Sequence, residues 1–158
     1  MSVGTGVDKS NIYSIIENNK PVALQYSSQY KDLGVLIDKK KLNFRDHIHE
    51  KINIAYSMFG IIKRNFKHLN IQCFILLYES MVRPHLDYCS FVWNPYHKGD
   101  IEAVGKVQKQ ATKFLPELKH LSYCDCFRAC NLTTLHYRRI RGDMIETYKI
   151  VSISHQKI

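Results

Sequence analysis

Residues 43–68 read Asn43-Phe44-Arg45-Asp46-His47-Ile48-His49-Glu50-Lys51-Ile52-Asn53-Ile54-Ala55-Tyr56-Ser57-Met58-Phe59-Gly60-Ile61-Ile62-Lys63-Arg64-Asn65-Phe66-Lys67-His68. Within them Phe44, Ile48, Ile52, Ala55, Phe59, Ile62 and Phe66 recur at steps of 4, 4, 3, 4, 3 and 4. That spacing is one face of an amphipathic helix of about six turns. Asn43 followed by Asp46 predicts an N-cap with an acid three residues on, a variant of the capping box. Lys63, Arg64, Lys67 and His68 crowd the last turn, where cations suit the negative end of the helix dipole. Gly60 weakens the helix by up to about 1 kcal/mol relative to Ala. His47 and His49 fall on its polar side, two residues apart, so they do not face one site.

Downstream the helical period continues. A second helix is predicted after Asn70, with Phe74, Leu77, Tyr78 and Met81 as its stripe. Arg83-Pro84 predicts a break or kink, because Pro removes a hydrogen bond and restricts the residue before it. Leu86 to Trp93 is mostly apolar and aromatic, and Asn94-Pro95 stops it. A third helix begins near Asp100 with Ile101, Val104, Val107 or Gln108, Ala111 and Phe114 as its stripe. Lys106, Lys109 and Lys113 lie on another face, and Pro116 ends the run. A fourth starts near Ser122 with Asp125 at N3. A fifth starts near Thr133 or Thr134, with Tyr137, Ile140, Met144, Tyr148 and Val151 as its stripe. Arg138, Arg139 and Arg141 sit in its first half and oppose the dipole, so they need a partner: Asp143 and Glu146, or something outside the protein.

Upstream, the period is 2. Ile12 to Glu17 is a β-prone run, and Asn18-Asn19-Lys20-Pro21 supplies turn chemistry. Val22, Leu24 and Tyr26 alternate with Ala23 and Gln25. Leu33, Val35 and Ile37 alternate around Gly34 and Leu36. A Gly within a strand marks close approach of another backbone or a ligand. Short strands alone cannot bury both faces, so these need a neighbour. The fold class expected is therefore α+β, mostly α: short N-terminal strands followed by about five amphipathic helices.

The chain has 158 residues, with 45% hydrophobic and 23% charged, ordinary for a globular protein and against a disordered tail. Its 23 Lys+Arg exceed its 14 Asp+Glu, a net +9. Residues 1–38 carry three bases and four acids, net −1, which leaves net +10 for residues 39–158. That excess, interleaved with aromatic residues, points to nucleic acid or an acidic surface as partner. No apolar run reaches the length of a membrane span. Met1-Ser2-Val3-Gly4-Thr5-Gly6 has neither the basic nor the apolar region of a signal peptide. With five Cys, an odd number, the expectation is reduced thiols in an intracellular protein of nucleus or cytoplasm, not a secreted one.

Catalytic motifs are missing. There is no G-x-S-x-G, no Gly-rich phosphate loop and no H-E-x-x-H, and no two acids are adjacent for two-metal phosphoryl chemistry. Cys124, Cys126 and Cys130, with His120 and His136 nearby, raise a zinc reading. A C-x-C pair on a helix points its thiols about 200° apart, which is poor geometry for zinc. The competing reading makes Cys126 and Cys130 core residues, and Cys73 and Cys89 buried as well. Neither catalysis by this chain nor a metal site is expected.

Several strings resemble one family. They are Tyr30-Lys31-Asp32-Leu33-Gly34-Val35-Leu36-Ile37-Asp38, Leu42-Asn43-Phe44 and His47-Ile48. They continue with Leu77-Tyr78-Glu79-Ser80-Met81-Val82-Arg83-Pro84-His85-Leu86-Asp87-Tyr88 and Val92-Trp93-Asn94-Pro95. Ile101, Val107-Gln108-Lys109 and Ala111-Thr112-Lys113 follow, then Leu121-Ser122-Tyr123 and Asn131-Leu132-Thr133-Thr134-Leu135. Tyr137-Arg138-Arg139-Ile140-Arg141-Gly142-Asp143-Met144-Ile145-Glu146 closes the series. In order and spacing, over about residues 10–151, these resemble the region after the catalytic turn in reverse transcriptases of jockey-like non-LTR retrotransposons.

The resemblance implies a primer grip at Leu33, Gly34 and Val35, and a thumb that begins with the helix from Phe44. It divides the chain into a palm-edge and primer-grip segment at 1–38, thumb-like helices at 39–98, a C-terminal helical region at 99–151 and a frayed tail at 152–158. The parent family is an endonuclease-reverse transcriptase that copies RNA into DNA with Mg2+ held by paired palm aspartates. That pair is absent here, so the chain itself has no cofactor and would be inactive alone. Met1-Ser2-Val3-Gly4 resembles an internal palm strand of the family, which implies a truncated copy. Gly105 stands where the family often has Glu, Cys124 and Cys126 where it tends to be charged, and the match stops after Lys149-Ile150.

The expected residual role is binding of RNA, DNA or their hybrid through phosphates, with no membrane role. The candidates are Lys63, Arg64 and Lys67, then Lys106, Lys109 and Lys113, then Arg138, Arg139 and Arg141. The missing palm and fingers of the parent are a further expected partner. The alternatives are a non-catalytic helical interaction module that docks through an apolar edge along Ile12, Val22 and Leu24, a functionless retroelement remnant, and a zinc module.

Overall fold

A computed structural model describes residues 13–24, 27–38 and 44–155. Met1–Gly6, Ile12, Tyr26, the Asn43 cap and the last three residues of the tail lie outside the described residues. The chain divides into two compact units, one through His47 and one from Ile48 onward. It is mostly helical with two short antiparallel strand pairs at the front, the α+β class read from the sequence.

The first unit holds two hairpins. β1 (Ser14–Glu17) pairs with β2 (Lys20–Ala23) in the register Ser14↔Ala23 to Glu17↔Lys20. Asn18 and Asn19 both take positive φ, 50° and 62°, as a two-residue turn that matches strand twist requires. β3 (Gln29–Asp32) pairs with β4 (Val35–Asp38). Here Leu33 and Gly34 form the turn, with φ of 44° and 80°. This corrects the sequence reading, in which Leu33 and Gly34 lay inside a strand: Gly34 serves the tip, not a strand interior. His47 is also corrected. It is fully buried, and its Nδ1 accepts the Leu36 backbone N–H at 3.1 Å. Gln29 Nε2 donates to Asp46 Oδ2 at 2.7 Å.

The helices begin with α1 (Arg45–Asn65), which runs unbroken through Gly60. In the second unit its stripe supplies core residues Ile48, Ile52, Ala55 and Ile62, with Phe59 half-buried. Phe66 lies just beyond the helix and is exposed. α2 (Ile71–Leu77) starts as predicted: the Asn70 side chain accepts the Cys73 N–H at 2.7 Å. Of the break or kink expected at Arg83-Pro84, the break does not occur: the helix changes to a π turn just ahead of it instead. Tyr78–Val82 form a π-helical turn, in which the Arg83 N–H reaches the Tyr78 carbonyl, and α3 (Arg83–Asp87) carries on. The wider turn accommodates the missing proline N–H and its ring clash without ending the helix. Cys89, at φ 56°, then turns the chain into the single turn α4 (Ser90–Trp93).

α5 (Lys98–Thr112) buries Val104, Val107, Gln108 and Ala111, while Ile101 stays partly outside. α6 (Tyr123–Ala129) has Ser122 as N-cap, accepting the Asp125 N–H at 3.3 Å. Its C-terminus closes as a Schellman motif. Asn131 sits at φ 49°, Leu132 N–H bonds the Phe127 carbonyl and Asn131 N–H the Arg128 carbonyl. Leu132 and Phe127, the pair that motif brings into contact, are both buried. α7 (Leu135–His155) follows, joined to α5 by Gln108. The Gln108 Nε2 donates to the Thr133 carbonyl at 3.1 Å, and its Oε1 accepts the Leu135 N–H at 3.2 Å. No helix among the described residues is long and apolar enough to cross a membrane.

Candidate nucleic-acid interface

In the second unit one aromatic contact ties together the helices that carry two of the three predicted basic clusters. Phe59 of α1 packs edge-to-face on Phe114, just past α5, with ring centres 5.6 Å apart, and Phe74 of α2 lies 6.2 Å from the same ring. Lys63 and Arg64 follow Phe59 by about one turn, and Lys113 adjoins Phe114. The contact brings Phe59 of α1 against the residue that follows α5, and the nearby cations of both helices lie exposed. Lys63, Arg64, Lys67, Lys106, Lys109 and Lys113 are all exposed. Lys109 also sits 5.8 Å above the Tyr123 ring, which fixes it over α6. Burial raises the pKa of the Tyr123 hydroxyl, with a smaller push from Cys124, so it stays neutral beside that lysine.

The third cluster splits. Arg141 is exposed. Arg138 is half-engaged, its Nε 3.1 Å from Asp87 Oδ2. Arg139 overturns its sequence assignment as a phosphate-facing cation: only 5% of it is accessible. Its guanidinium lies 5.3 Å over the Trp93 ring and its Nη2 donates to the Leu86 carbonyl at 3.5 Å. Burial lowers its pKa, opposed by the Asp87 and Asp143 carboxylates. Trp93 is held in turn by its Nε1, which donates to the Tyr88 carbonyl at 2.7 Å. Asp87 is the shared anion of this junction, 3.8 Å from Arg83 Nε as well, and Arg83 also pairs with Glu79. The dipole conflict noted in the sequence is thus answered inside the protein for Arg138 and Arg139.

The primer-grip-like residues form the tip of the β3–β4 hairpin. Leu33 is 83% exposed, Gly34 is intermediate and Val35 is buried beneath them. An apolar side chain held outward by a two-residue turn is a feature the sequence did not signal, because Leu is disfavoured at positive φ. Among the cysteines, Cys126 and Cys130 are buried as expected, with Cys126 Sγ donating to the Leu118 carbonyl at 3.3 Å. Burial, with Cys126 nearby, pushes the Cys130 thiol pKa up. Cys73 is exposed and Cys89 intermediate, against the expectation that both are buried. Among the described residues no group of three His, Cys, Asp or Glu side chains could hold a metal ion.

Comparison with known proteins is sparse. No family model matches the chain, and no solved structure matches it. It is similar to a protein of Caenorhabditis elegans described as uncharacterized, 28% identical over 131 residues. That match covers 83% of this chain and 58% of the relative's length.

Proposed function

We propose that this chain corresponds to the primer-grip, thumb and C-terminal helices of a non-LTR reverse transcriptase, and that its own role is to bind template–primer nucleic acid through phosphates. The observation that carries the reading is the set of exposed cations on α1 and α5, whose helices are tied by the Phe59–Phe114 contact. Lys63, Arg64 and Lys113 stand exposed around the Phe59–Phe114 contact, and Lys106 continues the face along α5. Leu33 at the hairpin tip suits an apolar contact to a sugar or base near a primer end. With no adjacent aspartates in the sequence, the chain would not polymerise by itself, and Mg2+ would belong to the parent enzyme's palm. Arg139 is withdrawn from the set of phosphate contacts.

The test is binding of a short RNA–DNA hybrid duplex as a function of salt. Contacts to about 4–6 phosphates lower affinity roughly 100- to 2000-fold between 50 and 200 mM salt. Changing Lys106, Lys109 and Lys113 together to Gln should reduce the slope of log affinity against log salt by about 3. A flat salt response, or no binding at low salt, overturns the proposal. A second reading, a protein-interaction module, is favoured by the apolar residues on the first hairpin: Ile15, Ile16, Val22 and Leu24 are all exposed. Under that reading the purified chain self-associates through this hairpin, and charged substitution of Ile16 and Val22 cures it without touching nucleic-acid affinity.

A further inference from the structure

α7 carries a stripe of large apolar side chains that stand exposed among the described residues. Tyr137, Ile140, Met144, Tyr148 and Val151 are all exposed, Tyr148 to 74% and Met144 to 68%. At 100° per residue the five fall within an arc of about 80°. Their positions relative to Met144 are −7, −4, 0, +4 and +7, so the stripe reads the same in either direction along the helix. Such a surface is its own complement under a two-fold axis, which is what an isologous interface requires.

We infer that α7 pairs antiparallel with α7 of a second copy of this chain, with the two-fold axis at Met144. Met144 then meets Met144, Tyr137 meets Val151 and Ile140 meets Tyr148. Charge favours this order over a parallel one. A parallel pair would stack Arg141 on Arg141, whereas the antiparallel pair sets Arg141 beside Tyr148 of the other copy, where the ring face accepts a cation. The area is sufficient. A tyrosine can bury 150–250 Å². The exposed parts of the five side chains amount to roughly 500–600 Å² per copy, or about 1,000–1,200 Å² for the pair, at the threshold of a specific interface. Open surface grooves run on both sides of Met144, one bordered by Arg141 and Ile145 and the other by Asp143 and Thr147.

An interface of this size predicts a monomer–dimer equilibrium with a dissociation constant on the order of 1–100 µM. Sedimentation equilibrium of the whole chain should show a closed dimer that strengthens with salt, because both copies are cationic. That is the opposite sign to nucleic-acid binding, so the two proposals fail separately. With Cys73, Cys89 and Cys124 replaced by Ser, Met144→Cys should form a disulfide-linked dimer under mild oxidation. Lys149→Cys, about 140° round the helix from Met144, should not. Met144→Glu should give a monomer with unchanged helical circular dichroism. A chain that stays monomeric well above 100 µM, a dimer indifferent to Met144→Glu, or equal cross-linking at positions 144 and 149 overturns the inference.

Discussion

α5 and α7 carry the same kind of apolar stripe in the sequence, and the fold treats them in opposite ways. α5 turns Val104, Val107 and Ala111 inward and leaves Lys106 and Lys109 outside. α7 leaves Tyr137, Ile140, Met144 and Tyr148 outside and turns Leu135 and Arg139 inward. The apolar face is the buried face only when no better-matched surface competes for the other side. For α7 the competitor is a polar and aromatic junction: Trp93 beneath Arg139, Asp87 beside Arg138, and Asn94 Nδ2 reaching Asp143 at 3.4 Å. A guanidinium over an indole ring keeps its charge while it is buried, so this side packs and the apolar stripe stays exposed.

The largest effect is expected from removing the anchor of α7. Trp93→Ala deletes a fully buried indole and the ring under Arg139. The expected cost is about 3–5 kcal/mol in denaturant unfolding, with hydrogen exchange accelerated in α7 more than in α5. Equal loss of protection in both helices would mean that α7 is not held through Trp93 in particular.

A smaller break separates the two helices at their joint. Gln108→Leu keeps the volume but strands the Thr133 carbonyl and the Leu135 N–H, both of which Gln108 satisfies. The expected loss is about 1–3 kcal/mol, measured by thermal or chemical unfolding. Replacement by Glu should behave differently with pH, since only its protonated form can donate to the Thr133 carbonyl.

These two side chains mark what was legible in the sequence and what was not. The α1 stripe, the caps at Asn70 and Ser122 and the Asn18-Asn19 turn were readable because each is a local signal: a period, an oxygen at the right offset, an amide that tolerates positive φ. The basic ends of α1 and α5 were readable for the same reason, as they fall where the apolar face is not. The second hairpin was half-missed, because nothing local marks Leu33 for a positive φ and the turn is set by the Asp32↔Val35 pairing around it. His47 and Arg139 were misplaced because their burial depends on Leu36 and Trp93, far away in the chain. Periodicity reveals that a helix has two faces. It does not say which one meets the rest of the protein.

The π turn gives a pH test on the α5 side of the comparison. Tyr78 is buried against Phe74, which in turn packs on Phe114, and among the described residues its hydroxyl has no hydrogen-bond partner. Burial, reinforced by Asp87, raises its pKa well above the ordinary 10.0. The folded state therefore holds the phenolic proton after the unfolded state has lost it. Its contribution to stability is complete below pH 10 and is lost progressively as pH rises above that value, at up to about 1.4 kcal/mol per pH unit. Tyr78→Phe should abolish that alkaline slope and leave neutral-pH stability equal or higher, because it removes an unsatisfied hydroxyl. An unchanged slope in the variant would assign the alkaline loss to other groups.

The smallest and sharpest comparison uses one glycine in each helix. Gly105 of α5 and Gly142 of α7 both sit inside helical turns, and a Cβ added at either meets nothing within 4 Å. Alanine at each should therefore stabilise by about 0.4–1 kcal/mol, through helix propensity and a less flexible unfolded chain. If α5 and α7 unfold together, Gly105→Ala and Gly142→Ala shift the global transition equally, and the double variant adds. If α7 opens first, Gly142→Ala raises helical content and exchange protection in α7 while leaving the midpoint where it was. The second outcome would locate the weak seam of the fold at the Arg139–Trp93 junction.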